Sequence, residues 1–137
     1  MNHNVNKILE QKNIKPTAMR QLVLKILLKK QKAVSLLDIE RQFENVERST
    51  IFRILKIFQQ NCIIHGVDDG TGAVKYAVCS HGCSCKFNDL HAHFLCNKCG
   101  DTTCLKDYPI PKQNLEEGYI FESANFVIKG ICPACYI

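Results

Sequence analysis

Apolar residues recur along the first half of the chain with the period of helices. Pro16 suits a first helical turn, where its missing N–H would be unpaired anyway. After it, Met19, Leu22, Val23, Ile26 and Leu27 fall at i, i+3, i+4, i+7 and i+8, which predicts an amphipathic helix with one apolar face. Lys29, Lys30 and Lys32 follow at its end, where cations suit the helix dipole. Ser35 with Asp38 has the form of a capping box and opens a helix through about Phe43, with Leu36, Ile39 and Phe43 inward. Ser49 is read as the cap of a third helix running to Asn61, whose apolar face is Ile51, Ile54, Leu55 and Phe58. A weakly patterned segment over 5–11 allows an earlier helix.

Past residue 61 the pattern shortens. Residues 62–67 and 73–78 read as strands around Asp68-Asp69-Gly70-Thr71-Gly72, a turn-rich stretch suited to a β-hairpin with a longer loop. Three helices and a hairpin, in that order, predict a winged helix-turn-helix, whose third helix enters the major groove while the hairpin lies beside the backbone. A helical bundle with an incidental hairpin is the alternative. Two further extended stretches, 92–95 and 125–129, are predicted to pair as neighbouring strands. The expected fold class is α+β.

Charge sharpens this division. Residues 1–78 hold 13 Lys/Arg and 7 Asp/Glu (13 − 7 = +6), and residues 79–137 hold 5 and 6 (5 − 6 = −1), giving the net +5 of the chain. Basic modules bind polyanions because each neutralised phosphate releases condensed counterions; a solvated basic surface accounts for the charge equally well. No apolar run approaches the ~20 residues that span a bilayer, and the polar start lacks an export signal. The expected location is therefore cytoplasmic, with no membrane partner.

Nine cysteines, all but Cys62 in the second segment, suit metal ligation in a reducing compartment, and an odd count cannot pair completely. Cys96-x-x-Cys99 and Cys132-x-x-Cys135 each bring two sulfurs within reach of one ion. Four thiolates make a closed tetrahedral Zn²⁺ site with no open catalytic position. A redox C-x-x-C would want a βαβ setting, which is missing. His91-Ala-His93 puts two imidazoles on one face of a strand. Beside it lie Cys79, His81, Cys83 and Cys85, where a linker would fall. That mixture predicts a second site best suited to Zn²⁺, against the alternative of surface thiols. No His-Glu-x-x-His pattern is present, so neither an enzymatic activity nor a small-molecule substrate is expected.

The motifs Lys15-Pro-Thr17-Ala-Met-Arg20, Ser49-Thr50-Ile51-Phe52-Arg53, His91-x-His93-Phe-Leu-Cys96-x-x-Cys99-Gly100 and Cys132-x-x-Cys135 together resemble the ferric uptake regulator (Fur) superfamily, most of all its zinc uptake regulator branch. The resemblance implies a winged-helix DNA-binding domain over 1–78, a hinge over 79–90 and a small α/β dimerisation and metal-binding domain over 91–137. It implies a homodimer that binds palindromic double-stranded operator DNA when its regulatory metal is bound. Carried over by position, the structural zinc falls to Cys96, Cys99, Cys132 and Cys135, and the regulatory zinc to His65, Cys79, His91 and His93. His81, Cys83, Cys85 and Cys104 compete for places in that second site. Lys15, Arg20, Arg48 and Lys56 are implied phosphate contacts, and Ser49, Thr50, Phe52 and Arg53 fall near base edges or the groove wall. Three departures stand out: Cys104 replaces an acidic residue, Ala92 separates the two histidines, and Phe52 replaces a tyrosine. A thiol-based redox or peroxide sensor, or an iron-responsive regulator, on the same scaffold is the alternative function.

Overall fold

The computed structural model describes residues 2–30, 32–79, 91–111, 113–122 and 124–136. Helices α1 (Asn2–Gln11), α2 (Ala18–Lys29), α3 (Leu36–Glu40) and α4 (Arg48–Gln60) come first, with strand β1 (Val34–Ser35) before α3. Strands β2 (Ile64–Asp68), β3 (Val74–Val78), β4 (His91–Cys96), β5 (Thr102–Pro109) and β6 (Val127–Gly130) follow.

The first helix is longer than its pattern suggests and buries Val5 and Leu9. Asn13 ends it in the left-handed region (φ 58), which lets the Ile14 N–H reach the Leu9 carbonyl at 2.9 Å. Helix α2 starts later than expected. Thr17 is its cap, accepting from the Arg20 N–H, so Pro16 lies outside the first turn. Ser35 and Asp38 form the reciprocal capping box of α3 at 3.1 Å each way. That helix stops at Glu40, short of Phe43, because its last turn tightens into the bonds Gln42 N–H to Ile39 and Phe43 N–H to Glu40. Glu47, not Ser49, is the cap residue of α4, and Ser49 sits inside the first turn with its hydroxyl toward the Glu47 carboxylate. Cys62 closes α4 in the left-handed region (φ 56), with the Ile63 N–H bonded to the Phe58 carbonyl at 2.9 Å.

These helices enclose one apolar core built around Leu9, Val23, Leu24, Ile39, Ile51, Leu55 and Phe58, which the wing enters through Ile63, Ile64 and Tyr76. The wing sheet has the order β1-β3-β2, all antiparallel, with Gly66 opposite Tyr76. The second sheet has the order β5-β4-β6. Strands β4 and β6 run parallel, from His93 opposite Val127 to Cys96 opposite Gly130, so the two stretches ahead of the cysteine pairs are neighbours. Strand β5 had no clear alternation to announce it. Helices are confined to the first module among the described residues; in the second, Pro109, Pro111 and Gly118 (φ 96) interrupt the chain before β6, and strands, turns and extended segments replace the helical share expected there. No helix among the described residues is long and apolar enough to cross a membrane. Apart from Cys79, the expected hinge lies outside the described residues, and with it His81, Cys83 and Cys85.

Candidate metal centres

The parallel pairing of β4 with β6 explains how two cysteine pairs so far apart in sequence meet. Cys96 ends β4 opposite Gly130, and two residues beyond Gly130 the chain reaches Cys132. Each pair is wound into a tight turn. In the first the Gly100 N–H bonds to the Cys96 carbonyl at 2.9 Å, with Gly100 at φ 79; in the second the Cys135 N–H bonds to the Cys132 carbonyl at 3.0 Å. The sulfurs of Cys96, Cys99, Cys132 and Cys135 lie within 4.8 Å of one another. Cys99 and Cys132 are 3.8 Å apart. A tetrahedral zinc with Zn–S near ~2.3 Å separates two sulfurs by about 3.8 Å, so the donor set fits that ion.

The backbone prepares one of these sulfurs for the thiolate form. Cys96 Sγ accepts N–H bonds from Cys132, Cys99 and Lys98, each at 3.4 Å. The Cys132 N–H, then that of Cys99, draw its pKa down to about 6. Cys135 is pushed up to about 12 by the neighbouring Cys132 thiol and by burial. Four sulfurs this close cannot all ionise without a cation among them.

A second group of donors gathers where the wing meets the second sheet. His65 comes from β2, His91 and His93 from β4, and Cys104 from β5; their ligand atoms lie within 4.8 Å of one another. The register of β4 on β5 sets His93 directly opposite Cys104, which puts both side chains on one face. His91, two residues before His93 on β4, shares that face, and the two rings stand 4.7 Å apart between centroids. His65 Nε2 lies 3.1 Å from His93 Nε2 and 3.6 Å from Cys104 Sγ. Around a tetrahedral zinc, two nitrogens are separated by roughly 3.3 Å and a nitrogen and a sulfur by roughly 3.6 Å. Both observed separations match. Burial, and secondarily His91, lowers the His93 pKa to about 4, so this ring is held neutral, the form that ligates metal.

Cys79 occupies a different place from the one its sequence position suggests. Its N–H continues the wing ladder by bonding to the Ile63 carbonyl at 2.8 Å. This sets Cys79 Sγ 3.5 Å from His65 Nδ1, whereas Cys104 faces Nε2 of the same ring. One imidazole offers one nitrogen to a given ion, so with Nε2 inward the fourth donor of the cluster is Cys104. Its sequence signal was only its position five residues after Cys99.

Helix α4 carries the candidate nucleic-acid face. Ile51, Ile54, Leu55 and Phe58 are buried, while Arg48, Ser49, Phe52, Arg53 and Lys56 are exposed, with Thr50 partly covered. Phe52 is 48% exposed, an unusual cost for an aromatic ring on a basic helix. Lys15 is exposed, and Arg20 donates to its carbonyl at 3.0 Å, which stiffens the turn before α2. Arg48 reaches across the α3–α4 turn to Glu40 at 3.3 Å.

Comparison with known proteins agrees with this architecture. The chain is 30% identical over 98 residues to the ferric uptake regulation protein of Bordetella parapertussis strain 12822, a stretch covering 67% of this chain and 66% of that one. It is 27% identical over 135 residues to the ferric uptake regulation protein of Staphylococcus aureus strain Mu50, covering 94% and 93%. Its fold is similar to that of a zinc uptake regulator complexed with zinc and DNA, with a TM-score of 0.70 at 20% identity over 98% of this chain and 91% of the other. The ferric uptake regulator family profile matches residues 11–130, and the chain belongs to that family of metal-responsive transcription regulators, which are not enzymes.

Proposed function

We propose that the protein is a zinc-responsive repressor that binds palindromic operator DNA as a homodimer. In this reading the ion of the four-cysteine site is structural and the mixed histidine–thiolate site is regulatory. The observation that carries it is the convergence of His65, His91, His93 and Cys104 across the boundary between the wing and the second sheet. A bound ion there supplies a cross-link between the modules. Once His65 is tied to β4 and β5, the wing and α4 hold one orientation, and two copies present their α4 helices to the two half-sites at a fixed spacing. Metal and operator then strengthen each other's binding by the same factor. A thiolate donor favours zinc over the harder ions that nitrogen and oxygen sets hold.

Lys15, Arg48 and Lys56 are assigned to phosphates, with Arg20 bracing Lys15. Ser49, Thr50 and Arg53 are assigned to base edges or the groove wall, and Phe52 to a thymine methyl. The exposed Tyr119, Ile120, Phe126, Ile131 and Tyr136 of the second module support a partner copy covering that side, since monomers rarely leave so much apolar surface open. A cytoplasmic location accompanies this reading.

A second reading, a thiol-based peroxide sensor on the same scaffold, is favoured by Cys79 and Cys104 flanking one imidazole. Operator binding with zinc and with chelator separates the two, together with mass spectrometry after mild peroxide. The zinc reading expects affinity to fall on chelation and no defined disulfide to accompany loss of binding. Affinity indifferent to chelation would end it.

A further inference from the structure

The wing and the second sheet are also joined where no metal is involved. Asp69 follows β2 and is 1% exposed. Its carboxylate accepts from Lys75 Nζ of β3 at 2.8 Å and from the hydroxyl of Thr102, the first residue of β5, at 2.7 Å. The Thr71 N–H and hydroxyl complete its shell at 3.0 and 2.6 Å. Lys75 Nζ donates in turn to Thr102 Oγ1 at 3.0 Å and to the Gly100 carbonyl at 2.9 Å, directly after the Cys96/Cys99 turn. Thr102 is fully buried, and its carbonyl receives the Ala33 N–H at 2.8 Å. Lys32 meets Asp101 at 2.9 Å, and Asn125 Nδ2 donates to the Asp68 carbonyl at 2.6 Å.

A buried carboxylate is costly unless every lone pair finds a partner. Asp69 has a lysine, two hydroxyls and an N–H. Burial raises its pKa, but Lys75, Thr71 and Thr102 together outweigh burial and hold the carboxyl well below the usual range. The shell is drawn from both modules, so it is complete only while they stay docked at this point.

The position of this cluster gives it a role. Thr102 and Cys104 are two residues apart on β5, on one face and about 7 Å apart, while His65 lies near the start of β2 and Asp69 just past its end, on the hairpin arm that meets them. The same two segments are thus bridged twice, once by the Asp69–Lys75–Thr102 cluster and once by the His65–Cys104 side of the mixed site. One attachment leaves the wing free to pivot about it; a second attachment nearby removes that freedom. We infer that Asp69, Lys75 and Thr102 are positioning residues for operator binding, forming a metal-independent pivot about which loading of the mixed site swings the wing and locks it. This rests on the reading of the mixed site as regulatory. It also ties the pivot to the Cys96/Cys99 turn through Gly100, so the structural ion supports the fulcrum and the regulatory ion closes the arm.

The test uses the full-length protein and two variants. Thr102→Val removes the cross-module hydroxyl while leaving the Asp69–Lys75 pair inside the wing, and Lys75→Met removes the ammonium's bonds to Asp69, Gly100 and Thr102 while leaving the Thr102 hydroxyl on Asp69. Zinc per chain, thermal stability, and operator affinity with zinc and with chelator are measured for each. The pivot predicts unchanged zinc content, unchanged affinity in chelator, and a zinc-induced gain in affinity that falls about tenfold in Lys75→Met, with Thr102→Val intermediate. A variant that melts earlier but keeps the full zinc-induced gain would show the cluster to be structural only and overturn the proposal. Should the unmodified protein show no zinc-dependent gain, the regulatory reading itself fails. The pivot is then judged by small-angle scattering of the zinc-loaded chain, where Lys75→Met should broaden the distance distribution and an unchanged distribution overturns it.

Discussion

The two modules of this chain are held together by different physics. The first buries Leu9, Val23, Leu24, Ile39, Ile51, Leu55 and Phe58 almost completely, from four helices and the root of the wing. Among its described residues the second has few of these; Ala92, Leu95 and Cys96 are buried, along with the polar His93 and Thr102, while Ile120 is 88% and Tyr136 is 83% exposed. Burial at about 25 cal/mol per Å² of apolar area sustains the first. The second is too thin for that, and in the proposed reading it draws its order from four sulfurs around an ion and from a second copy. A module that depends on ligands is well suited to reporting their presence, whereas a module with its own core keeps its shape and presents α4 whatever the metal does.

The comparison is broken most severely by Cys132→Ser. Structural zinc contributes on the order of 10 kcal/mol to the fold of small modules, so this variant should lose amide protection across β4–β6 while keeping the helical far-ultraviolet signal of α1–α4. Protected β4–β6 amides in the variant would contradict the division. Phe58→Ala attacks the other side. It opens a cavity in the first core at a cost of about 3–5 kcal/mol, seen in urea unfolding, and should leave the metal content of the four-cysteine site unchanged.

Lys75→Met probes the joint between the modules. It leaves a carboxylate buried without its cation, a loss of roughly 3 kcal/mol. The sign with pH follows from the lowered Asp69 pKa: its contribution is complete above the ordinary carboxylate value of 3.8 and is lost only as the pH falls below it. In Lys75→Met burial of Asp69 is no longer opposed by the cation, so its carboxyl takes up a proton more readily and the variant's deficit should shrink as the pH falls from roughly 8 to 5, while the parent stays ionised at Asp69. The smallest effect is a gain. Cys62 holds a left-handed conformation at φ 56, which glycine adopts without strain, so Cys62→Gly should raise the melting free energy by about 0.5–1 kcal/mol. A loss instead would mean that the Cys62 side chain packs more usefully than its half-exposed position indicates.

Local signals in the sequence were the reliable ones. The Ser35–Asp38 box, the apolar face of α4 and the strands before each cysteine pair are written in neighbouring residues, and the fold uses them; on α2 the buried face is rotated from the expected one, with Leu24 fully buried and Leu22 exposed. Helix α1 was faint because Val5, Ile8 and Leu9 alone face the core from a run of otherwise polar residues. Strand β1 has two residues and exists through its pairing with β3, which no local pattern announces. The polar clusters were hidden for the same reason on a larger scale. Asp69 and Thr102 are 33 residues apart, and His65 and Cys104 are 39 apart. Only the register of β4 on β5 makes Cys104 rather than Cys79 the neighbour of His93, and register is a property of the assembled sheet.

That last point separates two versions of the regulatory site, and one titration distinguishes them. Zinc content and zinc-dependent operator affinity are measured side by side for the parent, Cys104→Ser and Cys79→Ser. The geometry predicts about two zinc per chain in the parent and about one in Cys104→Ser, with the zinc-induced gain in affinity lost, while Cys79→Ser keeps both ions and most of the gain. A Cys104→Ser protein that retains its second zinc and its full response would contradict the assignment of the mixed site as the metal gate.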